Sequence, residues 1–173
     1  ERGRVLAYSE AKEIVLSAYG EFSPEMAALV KEFYDNRWID AKVRNGKRGG
    51  AFCSSPSPRL HPYVLTNFQG GARDIMTEAH ELGHGVHGML ARNNHFLDYD
   101  TPLTTAETAS VFGEMLTFEF LKKQAANDEE KLALIIQFVD DKIATIFRQI
   151  AMYRFEQRAH NVFRQNGKIK EAE

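Results

Sequence analysis

Thr77-Glu78-Ala79-His80-Glu81-Leu82-Gly83-His84-Gly85-Val86-His87 is the stretch from which the rest of the chain is read. It holds the pattern His-Glu-x-x-His within sequence that reads as a helix. Each residue of an α-helix turns the chain by about 100°, so His80 and His84 lie about 40° apart and one turn from each other. Two imidazoles placed like this can close on one metal ion from a single face. Glu81 follows the first histidine directly, where its carboxylate can reach a water on the metal rather than the metal itself. Two nitrogen ligands and a general base on one rigid element are what a metalloprotease needs. The five-residue pattern also occurs on ordinary helix faces, so the flanking sequence must carry the decision.

A catalytic zinc takes three protein ligands and keeps one position open. His87 is only about 20° from His80 around the helix, but it lies about 10.5 Å further along the axis. With zinc–nitrogen bonds of about 2 Å, no straight helix brings all three imidazoles to one ion. The third histidine of the metzincin pattern is also excluded, because Leu90 stands where it would be. His87 is therefore expected to pack or to hydrogen-bond. Glu107, on the helix after the 93–103 loop, has two possible roles. A helix–loop–helix return can bring it back to the motif face as a ligand. Thr104-Thr105-Ala106-Glu107 also has the shape of a capping box, in which the glutamate reaches back to the N-cap. Glu114, seven residues on, shares its face. It either orients a ligand histidine or stands as an exposed acid.

Around this centre the chain reads as mostly helical. Residues 9–20 form a short amphipathic helix with Ser9 as its N-cap. Ser23-Pro24 starts a second, whose buried side runs to about Trp38. Residues 44–50 are glycine-rich and basic but lack the Lys-Ser/Thr ending of a phosphate loop, so they read as a solvated loop. Ala51-Phe52-Cys53 and Pro62 to Phe68 read as two strands of one hairpin, separated by a serine- and proline-rich turn. The motif helix is expected over 73–92. The next helix is capped at Thr104 or Thr105 and carries Ala109, Val111, Phe112, Met115, Leu116 and Phe120 inward. Asn127 opens a last helix, with Glu130 as its capping-box partner, and Gly167 stops it. Large apolar residues keep helical spacing along that helix in excess of what its neighbours can cover. Self-association, or packing against another part of the same polypeptide, is the expected consequence.

The 173 residues are 43% hydrophobic and 27% charged, with a formal charge of −2. That balance leaves no basic footprint for nucleic acid or for an anionic membrane. No apolar run approaches the ~20 residues that span a bilayer. The single cysteine, Cys53, excludes an internal disulfide framework and fits a reducing, cytoplasmic setting. The chain begins at Glu1 and reads as a piece of a longer protein, so a targeting signal ahead of it would not be visible.

Four segments in order carry a resemblance. Gly50-Ala51-Phe52-Cys53, His61-Pro62-Tyr63-Val64-Leu65-Thr66-Asn67-Phe68, Ala79-His80-Glu81-Leu82-Gly83-His84 and Ala106-Glu107-Thr108-Ala109-Ser110 resemble the oligoendopeptidase F group. That group belongs to the thimet-oligopeptidase-like zinc metallopeptidases. The resemblance implies that His80, His84 and Glu107 bind one zinc ion and that Glu81 is the general base. It implies hydrolysis of short unfolded oligopeptides by a water on the zinc. It also implies a mostly α fold with one small β-hairpin, the motif helix packed against a following Glu-bearing helix as in zincins of the gluzincin type. The strand before the motif helix then lies beside the cleft and can pair with substrate backbone. The family's downstream tyrosine- and histidine-bearing segment has no match in 128–173, where Tyr153 and His160 read as helix-surface or core residues. The whole of 1–173 thus reads as one incomplete catalytic-region fragment of a larger helical peptidase domain. A metal-binding helical fragment with little or no turnover is the alternative.

Overall fold

The computed structural model describes residues 5–169. Residues 1–4 and 170–173, which the 1–173 domain reading includes, lie outside it. The described chain runs α1 (Tyr8–Phe22), α2 (Pro24–Asp35), β1 (Ile39–Lys42), β2 (Phe52–Ser54), β3 (Tyr63–Phe68), α3 (Ala72–Ala91), a short 3-10 turn (Phe96–Asp98), α4 (Leu103–Gln124) and α5 (Asp128–Asn166). The architecture is mostly helical with one small sheet, as expected. By contacts within the chain it divides into a unit of residues 1–130 and a unit of 131–173.

The helix ends follow from local chemistry. Glu10 reaches back to accept from the Ala7 N–H at 2.8 Å, so α1 starts one residue before the expected Ser9 cap. Ser23 caps α2 as expected, its Oγ accepting from the Met26 N–H at 3.2 Å with Pro24 at the first helical position. The end of α2 differs from the expectation. Arg37 takes a left-handed conformation (φ 59°), its N–H bonds to Tyr34 O, and the Trp38 N–H bonds to Phe33 O. This is a Schellman closure with arginine where glycine is usual. Trp38 meets Phe33 edge-on at 5.3 Å, the hydrophobic contact that accompanies such an ending. The chain therefore leaves the helix before Trp38 and enters a strand.

That strand, β1, is an addition to the expected hairpin. The sheet order is β1-β3-β2, with β1 parallel to β3 and β2 antiparallel to it. β2 pairs Phe52 with Leu65, Cys53 with Val64 and Ser54 with Tyr63, and is left as an edge. The 44–50 loop is mostly exposed, yet its Lys47 is not. The Lys47 ammonium donates to Asp40 O, Lys42 O and Thr66 O at 2.8, 3.1 and 2.5 Å, and its side chain is almost wholly buried. This pins the loop to the sheet.

α3 packs on the sheet, on α2 and along α4, and α1 packs on α2 and α4. The core joins Val15 and Tyr19 of α1, Val30 and Phe33 of α2, Val64 of β3, and Ile75, Ala79, Leu82 and Val86 of α3. The expected inward face of α4 needs correcting. Val111, Phe112 and Met115 are exposed, and the buried stripe is Ser110, Gly113, Thr117, Phe118 and Leu121. The reason is the closeness of α3 and α4. A Cβ on Gly83 would lie 2.4 Å from Ala109 O and 2.7 Å from Ser110 Cα. Only small residues fit at that crossing, which turns Val111, Phe112 and Met115 aside, while Leu116 still packs against the core and Phe118 and Leu121 are buried further along α4.

α5 opens at Asn127 as expected, with the Glu130 half of the capping box shifted by one residue to Ala126. Asn127 Oδ1 accepts from the Glu130 N–H at 2.9 Å, while the Glu130 carboxylate accepts from the Ala126 N–H at 2.8 Å. It closes at Gly167 (φ 72°). No described residue of α5 is buried, and Leu132, Ile136, Ile143, Phe147 and Phe155 stand exposed along it. Tyr153 and His160 are exposed there too. Among the described residues no helix is long and apolar enough to cross a membrane.

Candidate metal centre

The centre is built where α3 crosses α4. α3 is amphipathic and its N-terminus is fixed by Asp74, whose carboxylate accepts from the Gln69 and Gly71 N–H groups at 2.9 and 3.1 Å. Ile75, Ala79, Leu82 and Val86 go into the core, which turns His80, Glu81 and His84 towards the other side. The two imidazoles meet edge to face, with centroids 5.1 Å apart.

Glu107 comes to them from the first turns of α4. Its Oε2 lies 3.1 Å from His80 Nε2 and 3.4 Å from His84 Nε2. One donor atom from each of the three residues falls within 4.8 Å of the others. Four donors around a zinc ion with bonds near 2.0 Å are separated by about 3.3 Å, so the two measured edges fit that donor set. The capping-box role of Glu107 is not what forms. α4 begins at Leu103 with Pro102 before it, and the Thr105 hydroxyl donates to Pro102 O at 3.2 Å. Glu107 is held by Ser110 instead, whose hydroxyl donates to the same Oε2 at 2.7 Å. Ser110 is fully buried, and its position one turn after Glu107 was the available signal.

Glu114 stands behind the first imidazole. Its Oε2 is 3.2 Å from His80 Nδ1, so His80 is gripped by a carboxylate at each nitrogen. Burial alone would lower the pKa of His80. The hydrogen bond to Glu114 and the charges of Glu81, Glu107 and Glu114 outweigh it, and the net shift is upward. His84 has only Glu107 and a hydrogen bond to the Ala106 backbone against burial and the neighbouring His80 and His87, and its pKa goes down. Burial pushes Glu81 up to about 6, with His80 opposing, Glu107 adding, and a hydrogen bond from the Cys53 backbone opposing. That last contact ties the edge strand β2 to Glu81, and no local pattern around Cys53 signals it. His87 is not among the residues whose donor atoms cluster. It lines the cleft.

The cleft has a volume of about 520 Å³ and runs beside β2 over the three clustered residues, with Phe52, Cys53, Tyr99 and Thr101 among its walls. Cys53 is not poised to act as a nucleophile. Burial, with the charge of Glu81 adding and a hydrogen bond with Ser55 opposing, pushes its thiol up to about 12. Two imidazoles and the Glu107 carboxylate around one point, with Glu81 on the same cleft and Glu114 behind His80, make a site suited to a divalent cation and to the activation of water beside it.

The sequence profile described as Peptidase family M3 matches residues 21–172. The chromosomal oligoendopeptidase F of Lactococcus lactis subsp. cremoris is 38% identical over 149 residues, covering 86% of this chain and 24% of that protein. The oligopeptidase PepF of Bacillus subtilis is 31% identical over 161 residues, 92% of this chain and 24% of that protein. A crystal structure described as a peptidase from Chlamydophila abortus superposes with a TM-score of 0.79 at 30% identity, over 92% of this chain and 27% of that one. The chain thus spans about a quarter of the length of the curated relatives it matches.

Proposed function

This chain belongs to peptidase family M3, and from that premise we propose that it carries the zinc centre and general base of an oligopeptidase. His80, His84 and Glu107 are the metal ligands in this reading. The observation that carries it is the convergence of both Nε2 atoms on Glu107 Oε2, at 3.1 and 3.4 Å. Residues 1–173 are then one catalytic-region segment of a larger helical peptidase domain.

Zinc in this site would supply Lewis-acid polarisation of a scissile carbonyl and would lower the pKa of an attacking water. The remaining work belongs to side chains and backbone. Glu81 Oε takes the proton of the water and hands it to the leaving amine. The Cys53 backbone steadies that carboxylate from the strand side. Glu114 accepts from His80 Nδ1–H, which directs the Nε2 lone pair to the ion. Ser110 holds Glu107 in the same way. The free edge of β2 offers backbone groups along the cleft to an extended peptide. An unfolded oligopeptide suits that geometry, and the relatives are named as oligopeptidases.

The test is cleavage of a quenched fluorescent oligopeptide by the zinc-loaded chain beside its Glu81→Gln variant. Turnover in the first and none in the second, with zinc retained in both, supports the reading. A second reading is a metal-binding helical segment with little turnover, favoured by the quarter-length match to the relatives. Zinc bound at one equivalent with no cleavage by either protein would select it.

A further inference from the structure

The back of the metal site contains a contact that the mechanism does not use. Tyr19 of α1 is fully buried, and its hydroxyl donates to Ala79 O of α3 at 2.7 Å. Burial holds it as the neutral phenol. A carbonyl inside a helix already accepts from the N–H four residues on, so this bond is a second one on Ala79 O and is not needed to satisfy it. Gly113 of α4 closes over the same pair of oxygens. A Cβ there would lie 1.9 Å from Tyr19 Oη and 2.8 Å from Ala79 O. Three helices therefore meet at one hydroxyl.

On two of these three helices the next residue belongs to the site. Ala79 precedes His80 and Gly113 precedes Glu114, and His80 Nδ1 meets Glu114 Oε2 at 3.2 Å. One residue of helix is a rise of about 1.5 Å, so little slack separates the junction from the hydrogen bond. A working constellation has to be held to within about 0.5 Å. Tyr19 also lies outside the segment matched by the family profile, which starts at residue 21.

We propose that Tyr19 is a positioning residue for the metal centre: its hydroxyl, wedged between Ala79 O and Gly113, sets the separation at which Glu114 meets His80. The inference rests on the metal-centre reading above. It assigns Tyr19 no contact with substrate or ion.

The test compares the full chain with Tyr19→Phe, Gly113→Ala, the double variant and Val30→Ala. Val30 is a buried core residue of α2, a helix that contributes no group to the junction. Zinc affinity is measured by chelator competition, thermal unfolding on the metal-free proteins, and the visible absorption of the cobalt(II) forms. Tyr19→Phe should bind zinc about tenfold more weakly, the scale of losing an outer support of a ligand, and should alter the cobalt spectrum. Val30→Ala should lose thermal stability with its zinc affinity and spectrum unchanged. Gly113→Ala should cost less affinity in the Tyr19→Phe background than alone, because the closest obstacle to the new methyl is then gone. Wild-type affinity and spectrum in Tyr19→Phe, whatever happens to its unfolding temperature, would overturn the proposal and leave the metal centre standing. A wild-type chain that binds no zinc, or binds it equally well after His80→Ala, would overturn both.

Discussion

Glu78 and Glu81 are three residues apart on α3, both nearly buried at 1% and 6% exposure, and their surroundings are opposite. Glu78 faces the rear. Its carboxylate accepts from Tyr34 Oη at 2.7 Å and Thr66 Oγ1 at 3.4 Å, with Tyr8 adding a third hydrogen bond. Those groups come from α2, β3 and α1. Burial raises its pKa while the three hydroxyls work against the shift. Glu81 faces the cleft with one backbone bond, from Cys53, and an imidazole beside it. One helix thus carries a carboxylate whose hydrogen-bonding capacity is consumed by the fold and one whose capacity is largely left open to the cleft. Buried polar groups are tolerated when satisfied. The helix can hold its front face open because the rear is tied down.

Substitutions on the two faces should therefore fail in different ways. The largest effect is expected at the proposed ligands: Glu107→Ala or His84→Ala should abolish stoichiometric zinc binding, as judged by metal analysis after gel filtration. The metal-free protein should unfold much as before. Glu81→Gln should keep the zinc and lower any peptide hydrolysis by at least about a hundredfold, the contribution of a positioned general base. Loss of zinc in that variant would move Glu81 into the ligand set. On the rear, Glu78→Ala should lower folding stability by about 3 kcal/mol in denaturant unfolding, since it opens a cavity and strands the Tyr34 hydroxyl. Its zinc stoichiometry should stay at one. Glu114→Ala, between the two faces in character, should weaken zinc by about tenfold to a hundredfold without abolishing it. The smallest effect is expected at Thr117, whose buried hydroxyl finds no hydrogen-bond partner among the described residues. Thr117→Val should stabilise the chain by about 1 kcal/mol, read as a raised unfolding midpoint.

The placing of His80 and His84 on one face of α3 was readable in the sequence because residues four apart on a helix lie one turn from each other. The rear of that helix was not. Glu78 reads as an ordinary acid until α1, α2 and β3 are folded around it, and no local pattern announces three tyrosine and threonine hydroxyls from distant elements. Glu107 shows the same limit from the other side. Thr104-x-x-Glu107 has the spacing of a cap, and only the α3–α4 crossing draws the carboxylate to the histidines. The α4 stripe misled because a hydrophobic pattern assumes that large residues face the core. At a crossing as close as Gly83 on Ala109, space selects Ser110, Gly113 and Thr117 instead. β1 escaped because Arg37 takes the left-handed position that glycine would have advertised.

The most direct test of this account is an anomalous-scattering map of crystals of the chain loaded with one equivalent of zinc. A single peak is expected, bonded to His80 Nε2, His84 Nε2 and a Glu107 carboxylate oxygen at about 2.0–2.2 Å, with Glu81 near it but not bonded. A peak coordinated by His87, or one with Glu107 turned away from both histidines, would contradict it.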